Sequence, residues 1–122
     1  MILPFKEQFV EPIMSGRKIH TIREDRKNRW IRGKTIHFAT GVRTKNQNTF
    51  YSNLCRGTQE IKIYWRGNTV YPVAIFIDKK VLTLDETERL AINDGFKTVD
   101  EFYKWFDSDF KGKIIHWTEL RY

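Results

Sequence analysis

Residues 15–24 read Ser-Gly-Arg-Lys-Ile-His-Thr-Ile-Arg-Glu and place a lysine, a threonine and an arginine within six positions of one another. A lysine held near other cations and partly desolvated has a lowered pKa, so it can serve as a base near neutral pH. Thr21 offers a hydroxyl nucleophile, and Arg23 can clamp an anion or a carbonyl oxygen. Strand geometry sets a condition on this set. In an ideal strand Lys18 and Thr21 face opposite sides, so both reach one site only if Lys18 precedes the strand or a bulge intervenes.

The same segment concentrates charge. From Arg17 to Lys34 there are eight basic residues (Arg17, Lys18, Arg23, Arg26, Lys27, Arg29, Arg32 and Lys34) against Glu24 and Asp25, a local excess of six. That is nearly the whole formal net charge of +7. Trp30 stands in the middle of it. Cations with an interleaved ring suit single-stranded nucleic acid, where phosphates meet the charge and a base stacks on the ring for about 1–3 kcal/mol. The other reading is a solvated loop with Trp30 tucked into the core.

The remaining candidates are few. His20 lies within the motif and is expected to line the same cleft, whereas His37 and His116 sit in apolar strand contexts and read as structural. No Cys/His cluster has zinc spacing and no glycine-rich phosphate loop occurs, so no metal and no cofactor is expected. Cys55, the one cysteine, rules out an internal disulfide and fits a reducing compartment, with the cytoplasm as the default location. No apolar run spans a bilayer, and Pro4, Lys6 and Glu7 break up any leader, so no membrane partner is expected.

A length of 122 residues with 40% apolar content suits one domain. Phe5, Phe9 and Ile13 recur at a spacing of four and predict a short helix, with Pro12 in its first turn and Gly16 as its stop. Strands are expected around Ile19–Ile22, Ile36–Ala39, Ile61–Trp65, Val70–Ile77 and Ile114–Trp117, the third and fourth joined by a turn at 66–68. Residues 42–58 read as a long loop or irregular hairpin. Thr83 or Asp85 caps a helix whose core face holds Leu84, Leu90 and Ala91. Thr98 with Glu101 makes a second capping box, ahead of a face of Val99, Phe102, Trp105 and Phe106. The fold class is α+β, a mostly antiparallel sheet or small barrel with two to four short helices on one side.

The stretch from Phe9 to Arg23 resembles the opening motif of the ASCH domain family, a branch of the PUA-like superfamily. That motif is a short helix, then Gly-(Arg/Lys)-Lys, two variable positions and Thr-x-Arg, here Gly16-Arg17-Lys18-Ile19-His20-Thr21-Ile22-Arg23. Leu90 to Phe96, followed by Phe102 and Trp105-Phe106, is similar to the family's second block, and Gly112 to Trp117 to its closing strand. Residues 42–70 lie outside the resemblance, as an extra hairpin or loop. The resemblance implies a PUA-like β-barrel whose cleft faces RNA or a nucleoside. Some bacterial members of similar size are amidohydrolases that deacetylate N4-acetylcytidine. By that analogy Thr21 is the nucleophile, Lys18 its activating base and Asp94 the acid, at a position where those enzymes carry glutamate. The shorter side chain withdraws the carboxyl by about 1 Å, a displacement that can cost ~10²-fold in rate.

Three functions follow. The first is binding of RNA or a nucleoside, with Arg17, His20, Arg23, Arg26, Lys27, Arg29, Trp30 and Arg32 as contacts. A second is hydrolysis of an N4-acylated cytidine or related amide through Lys18, Thr21 and Asp94. The third is cleavage of RNA. Oligomeric state is not legible in the sequence.

Overall fold

The computed structural model describes residues 1–122. It is α+β with mostly antiparallel pairing. The elements in order are β1 (Ile2–Pro4), a single 3₁₀ turn (Glu7–Phe9), α1 (Val10–Ser15), β2 (His20–Arg23), β3 (Thr35–Thr40), β4 (Asn48–Leu54), β5 (Gly57–Tyr64), β6 (Ala74–Ile77), β7 (Lys80–Val81), α2 (Leu84–Asn93), α3 (Val99–Trp105) and β8 (Phe110–His116).

The strands form two sheets rather than one hydrogen-bonded ring. One has the order β1-β3-β4, with β1 parallel to β3; the other runs β2-β8-β5-β6-β7, antiparallel throughout. A cluster of 20 buried apolar residues draws on both sheets and on all three helical regions. Phe38, Ile61, Ile114 and Phe102 are fully enclosed in it. Truncating such a ring to alanine costs about 3–5 kcal/mol.

Local chemistry explains the boundaries that position the site. Gly16 ends α1 in the left-handed region at φ 83°, where glycine has no Cβ penalty. The chain then turns sharply, and Lys18 N bonds back to the Pro12 carbonyl at 2.9 Å before β2 begins at His20. Thr83 caps α2 in a full capping box with Glu86; Asp85 takes no part in it. α3 has only half of the box. Thr98 accepts from Glu101 N, but the Glu101 carboxylate takes the N–H of Lys97 instead.

Pro12 falls in the third position of α1, within its first turn as expected, while a 3₁₀ turn takes up the first residues of the apolar period. Residues 42–58 take the irregular-hairpin alternative: they contain β4, which pairs with β3 with a bulge at Phe38/Ala39. Two expectations are corrected. Val70 to Val73 is not strand: Val70, Tyr71 and Val73 are exposed, and β6 starts only at Ala74. Leu84 and Trp105 face outward, since a helix of ten or seven residues presents only part of its period to the core.

Candidate functional site

Because Lys18 precedes β2, the strand alternation that would separate it from Thr21 does not apply. Both line one cavity of about 400 Å³, together with Arg23 and Asp94. Four polar residues from the α1–β2 turn, β2 and the end of α2 thus converge. The walls are largely aromatic: Phe5, Phe9, Phe96, Trp105 and Phe106, with Pro4, Lys6 and Ile22. A volume of this size and mixed lining falls in the range of small-molecule pockets.

Lys18 is 2% exposed, an extreme for a lysine. Its ammonium donates to the Asp94 backbone carbonyl at 2.5 Å and to Asp94 Oδ1 at 3.3 Å. Nζ also lies 4.8 Å from the centre of the Phe9 ring and 5.8 Å from that of Phe5. Burial pushes the Lys18 pKa down to about 8; Asp94 opposes the shift and Arg23 adds to it. The shift brings the free amine closer to neutral pH than in an ordinary lysine.

Gly95 makes room for this side chain. It sits at φ +96°, and a Cβ there would lie 2.9 Å from Lys18 Cδ and 3.2 Å from Phe9 Cδ1. Asp94 and Gly95 close α2, so the helix stop and the cleft acid are one feature. Thr21 Oγ accepts from Arg23 Nε at 3.2 Å, which leaves its own proton free for another acceptor. Arg23 also donates to the Pro4 carbonyl and packs 4.8 Å above the Phe5 ring. Burial lowers its pKa and Asp94 opposes that.

The other predicted contacts divide. Arg26, Lys27 and Arg29 are exposed and line a neighbouring cleft of about 400 Å³ that shares Pro4 and Arg23 with the first. His20 is fully buried behind the cavity wall, where it bonds Asp94 rather than lining the cleft. Arg17 turns away and ion-pairs with Glu11 on α1. Arg32 reaches Glu119 at 2.9 Å and the Arg56 carbonyl at 2.8 Å.

Trp30 corrects the stacking-platform expectation. It is 6% exposed and belongs to the core. The cause is Asp25, whose carboxylate accepts the N–H groups of Arg29 and Trp30 at 2.9 and 3.1 Å and folds the basic loop back on itself. The exposed ring at the cavity is Trp105, with Lys6 Nζ 5.0 Å from its centre.

Of the other histidines, His116 is fully buried, bonding Gln59 Oε1 at 3.1 Å, whereas His37 is exposed and meets Ser52 Oγ at 3.2 Å. In the β4–β5 region Lys62 and Tyr64 lie outward or half-outward, while Trp65 packs inward and donates Nε1–H to the Phe106 carbonyl. No group of three or more His, Cys, Asp or Glu is arranged to hold a metal ion. No helix is long and apolar enough to cross a membrane.

Sequence reasoning missed Phe5 as a wall residue and Tyr122, which stands behind His20. Phe9, Phe96, Trp105 and Phe106 fall within the two blocks of the resemblance, but periodicity by itself marks them only as core positions, since it does not separate a core face from a pocket lining. Comparisons with family models, curated proteins and solved structures find no match to this chain.

Proposed function

We propose that this protein binds RNA or a nucleoside, seating one base in the aromatic cavity beside Lys18 and Thr21. The observation that carries this reading is the convergence of Lys18, Thr21, Arg23 and Asp94 on one ring-walled cavity. Two of the ammonium's hydrogens are committed to Asp94, so its third can donate to a base carbonyl. The Thr21 proton supplies a second donor. Arg23 stands at the junction with the basic cleft, where Arg26, Lys27 and Arg29 can meet phosphates. Trp105 offers a half-open face for stacking. The PUA-like barrel that the resemblance implies is part of this proposal, supported by two sheets that share one core. An intracellular location accompanies it, supported by the lone buried thiol of Cys55.

Equilibrium titration with a short single-stranded RNA at several salt concentrations tests the reading. Affinity should fall as salt rises, with a slope of about −2 on logarithmic axes for some three phosphate contacts. Arg23→Ala should weaken binding by about tenfold or more. Affinity indifferent to both salt and Arg23 would refute it.

A second reading is hydrolysis of an N4-acylated cytidine or related amide, favoured by one observation: a lysine with its pKa near 8 shares the cavity with a threonine hydroxyl. Here Lys18 as free amine takes the Thr21 proton while Oγ attacks the amide carbon. The tetrahedral adduct collapses by breaking the C–N4 bond as the Lys18 ammonium returns that proton to N4. Water then hydrolyses the Thr21 ester to release the carboxylic acid and the free hydroxyl. Turnover of N4-acetylcytidine that Lys18→Ala abolishes, and that Asp94→Glu raises by restoring the missing methylene, would support it. No turnover by either wild type or Asp94→Glu would exclude it.

A further inference from the structure

Behind the cavity wall lies a polar chain that neither function uses directly. His20 is fully buried, with Nδ1 3.0 Å from Asp94 Oδ1 and Nε2 2.5 Å from the Tyr122 hydroxyl. That hydroxyl also accepts from Asn93 Nδ2 at 2.9 Å. Tyr122 is held at its backbone as well: its N–H donates to Gln59 Oε1 at 3.1 Å, and its carbonyl accepts from Gln59 Nε2 at 3.0 Å. Its ring packs edge-on to His20, with the centroids 5.4 Å apart.

The proton positions follow from donor counting. An ionised Asp94 can only accept, so Nδ1 of His20 carries the hydrogen. A neutral imidazole then has a bare Nε2, and the Tyr122 O–H must donate to it. Asn93 in turn donates to the Tyr122 oxygen. Every donor in the run from Asn93 through Tyr122 and His20 to Asp94 therefore points one way. It ends on the oxygen that also receives the Lys18 ammonium.

We infer that Tyr122 is a positioning residue of the cavity: by donating to His20 Nε2 it fixes the Nδ1–H tautomer that holds the Asp94 carboxylate, and with it Lys18, in place. Burial lowers the His20 pKa, Asp94 opposes this, and Lys18 reinforces it, in keeping with a neutral ring. Burial likewise raises the Tyr122 pKa to about 12, so its hydroxyl keeps the proton it donates. The arrangement parallels the way a histidine bound on one side is oriented by the hydrogen bond at its other nitrogen. The functional meaning of the inference rests on the cavity being the binding site, but its geometry can be tested without any ligand.

The first test is ¹⁵N NMR of the His20 ring in the ligand-free wild-type protein at pH 7. The expected result is a protonated Nδ1 and a bare Nε2; a protonated Nε2 with a bare Nδ1 overturns the inference outright. The second is the Lys18 pKa, read by NMR titration of its side chain in wild type, Tyr122→Phe and Asn93→Ala. A loosened Asp94 supports the ammonium less, so the Lys18 pKa should fall by roughly half a unit in Tyr122→Phe and by less in Asn93→Ala. An unchanged Lys18 pKa in both variants contradicts the inference, since a purely structural loss would leave it unmoved. If Tyr122→Phe does not fold, the wild-type tautomer and Asn93→Ala still decide. Binding of single-stranded RNA is measured in parallel, with a severalfold loss expected in Tyr122→Phe. A wild type that binds no RNA counts against the proposed function alone, because the tautomer and the Lys18 pKa stand without it.

Discussion

Raising the pH should make this protein more stable between pH 8 and 10, and Lys18 is the reason. Its folded pKa is about 8 against an ordinary 10.5, because burial penalises the ammonium more than Asp94 favours it. In that interval the unfolded chain keeps a proton that the folded chain has released, so the free energy of unfolding rises with pH. Each unit is worth about 1.4 kcal/mol, so two units amount to about 2–3 kcal/mol. Tyr122 and Tyr103, both raised by burial, would act in the opposite direction only above pH 10. Urea denaturation at pH 7, 8, 9 and 10 reads the effect. With a slope of about 2 kcal/mol per M, the midpoint should climb by about 1 M or more. Lys18→Met keeps most of the stem against Gly95 and Phe9 but removes the titrating group, so its midpoint should stay nearly flat. The variant also controls for the general relief of surface repulsion as other lysines approach neutrality. Equal rises in wild type and variant, or no rise in wild type, would show that Lys18 is not the desolvated cation that these contacts make it.

Acid should act through the two buried histidines. Burial pushes His116 down to about 3, with His20 and Arg121 adding to the shift, and burial also lowers His20. Stability should then fall as pH drops below about 6.5, by up to about 4–5 kcal/mol for His116 by pH 3, and thermal melts of wild type and His116→Gln should diverge in that range. Gly95→Ala should destabilise by about 2–3 kcal/mol, from backbone strain at φ +96° and the clash with Lys18 Cδ; a loss under 0.5 kcal/mol on denaturation would contradict the close approach. The two tryptophans should behave oppositely. Trp30→Ala should lower stability by about 3–5 kcal/mol while the folded fraction keeps its RNA affinity, whereas Trp105→Ala should keep most of the stability and lose about 1–3 kcal/mol of binding.

The chemistry of the site was more legible than its walls. The spacing of Lys18, Thr21 and Arg23 is local, and a glycine before the lysine was enough to predict a helix stop running into a strand. Asp94 came from a second block 76 residues away in sequence from Lys18, and only the fold brings the two side chains together. Trp30 shows where local reasoning stops. Five of its eight nearest neighbours in sequence are cations, yet one carboxylate, Asp25, ties two backbone N–H groups and turns the ring inward. Charge density alone also overstated the patch, because Arg17 and Arg32 spend themselves on Glu11 and Glu119. The barrel expectation met two separate sheets because β1 pairs with β3 and β2 with β8, and no strand bonds across the junction except through the Arg23 side chain to the Pro4 carbonyl. Tyr122 had no signal of its own in the sequence; its role is visible only where it meets His20, Asn93 and Gln59.

The central claim is that one base of an RNA or a nucleoside enters the cavity shared by Lys18, Thr21, Arg23 and Asp94. Titrating ¹⁵N-labelled protein with a short single-stranded RNA and following its amide and Trp indole resonances tests this directly. Saturable shifts should centre on residues 18–23, Asp94 to Phe96 and the Trp105 indole, with smaller ones at Arg26 to Trp30 beside the phosphates. Shifts confined to other faces, or none at RNA concentrations up to the millimolar range, would contradict it.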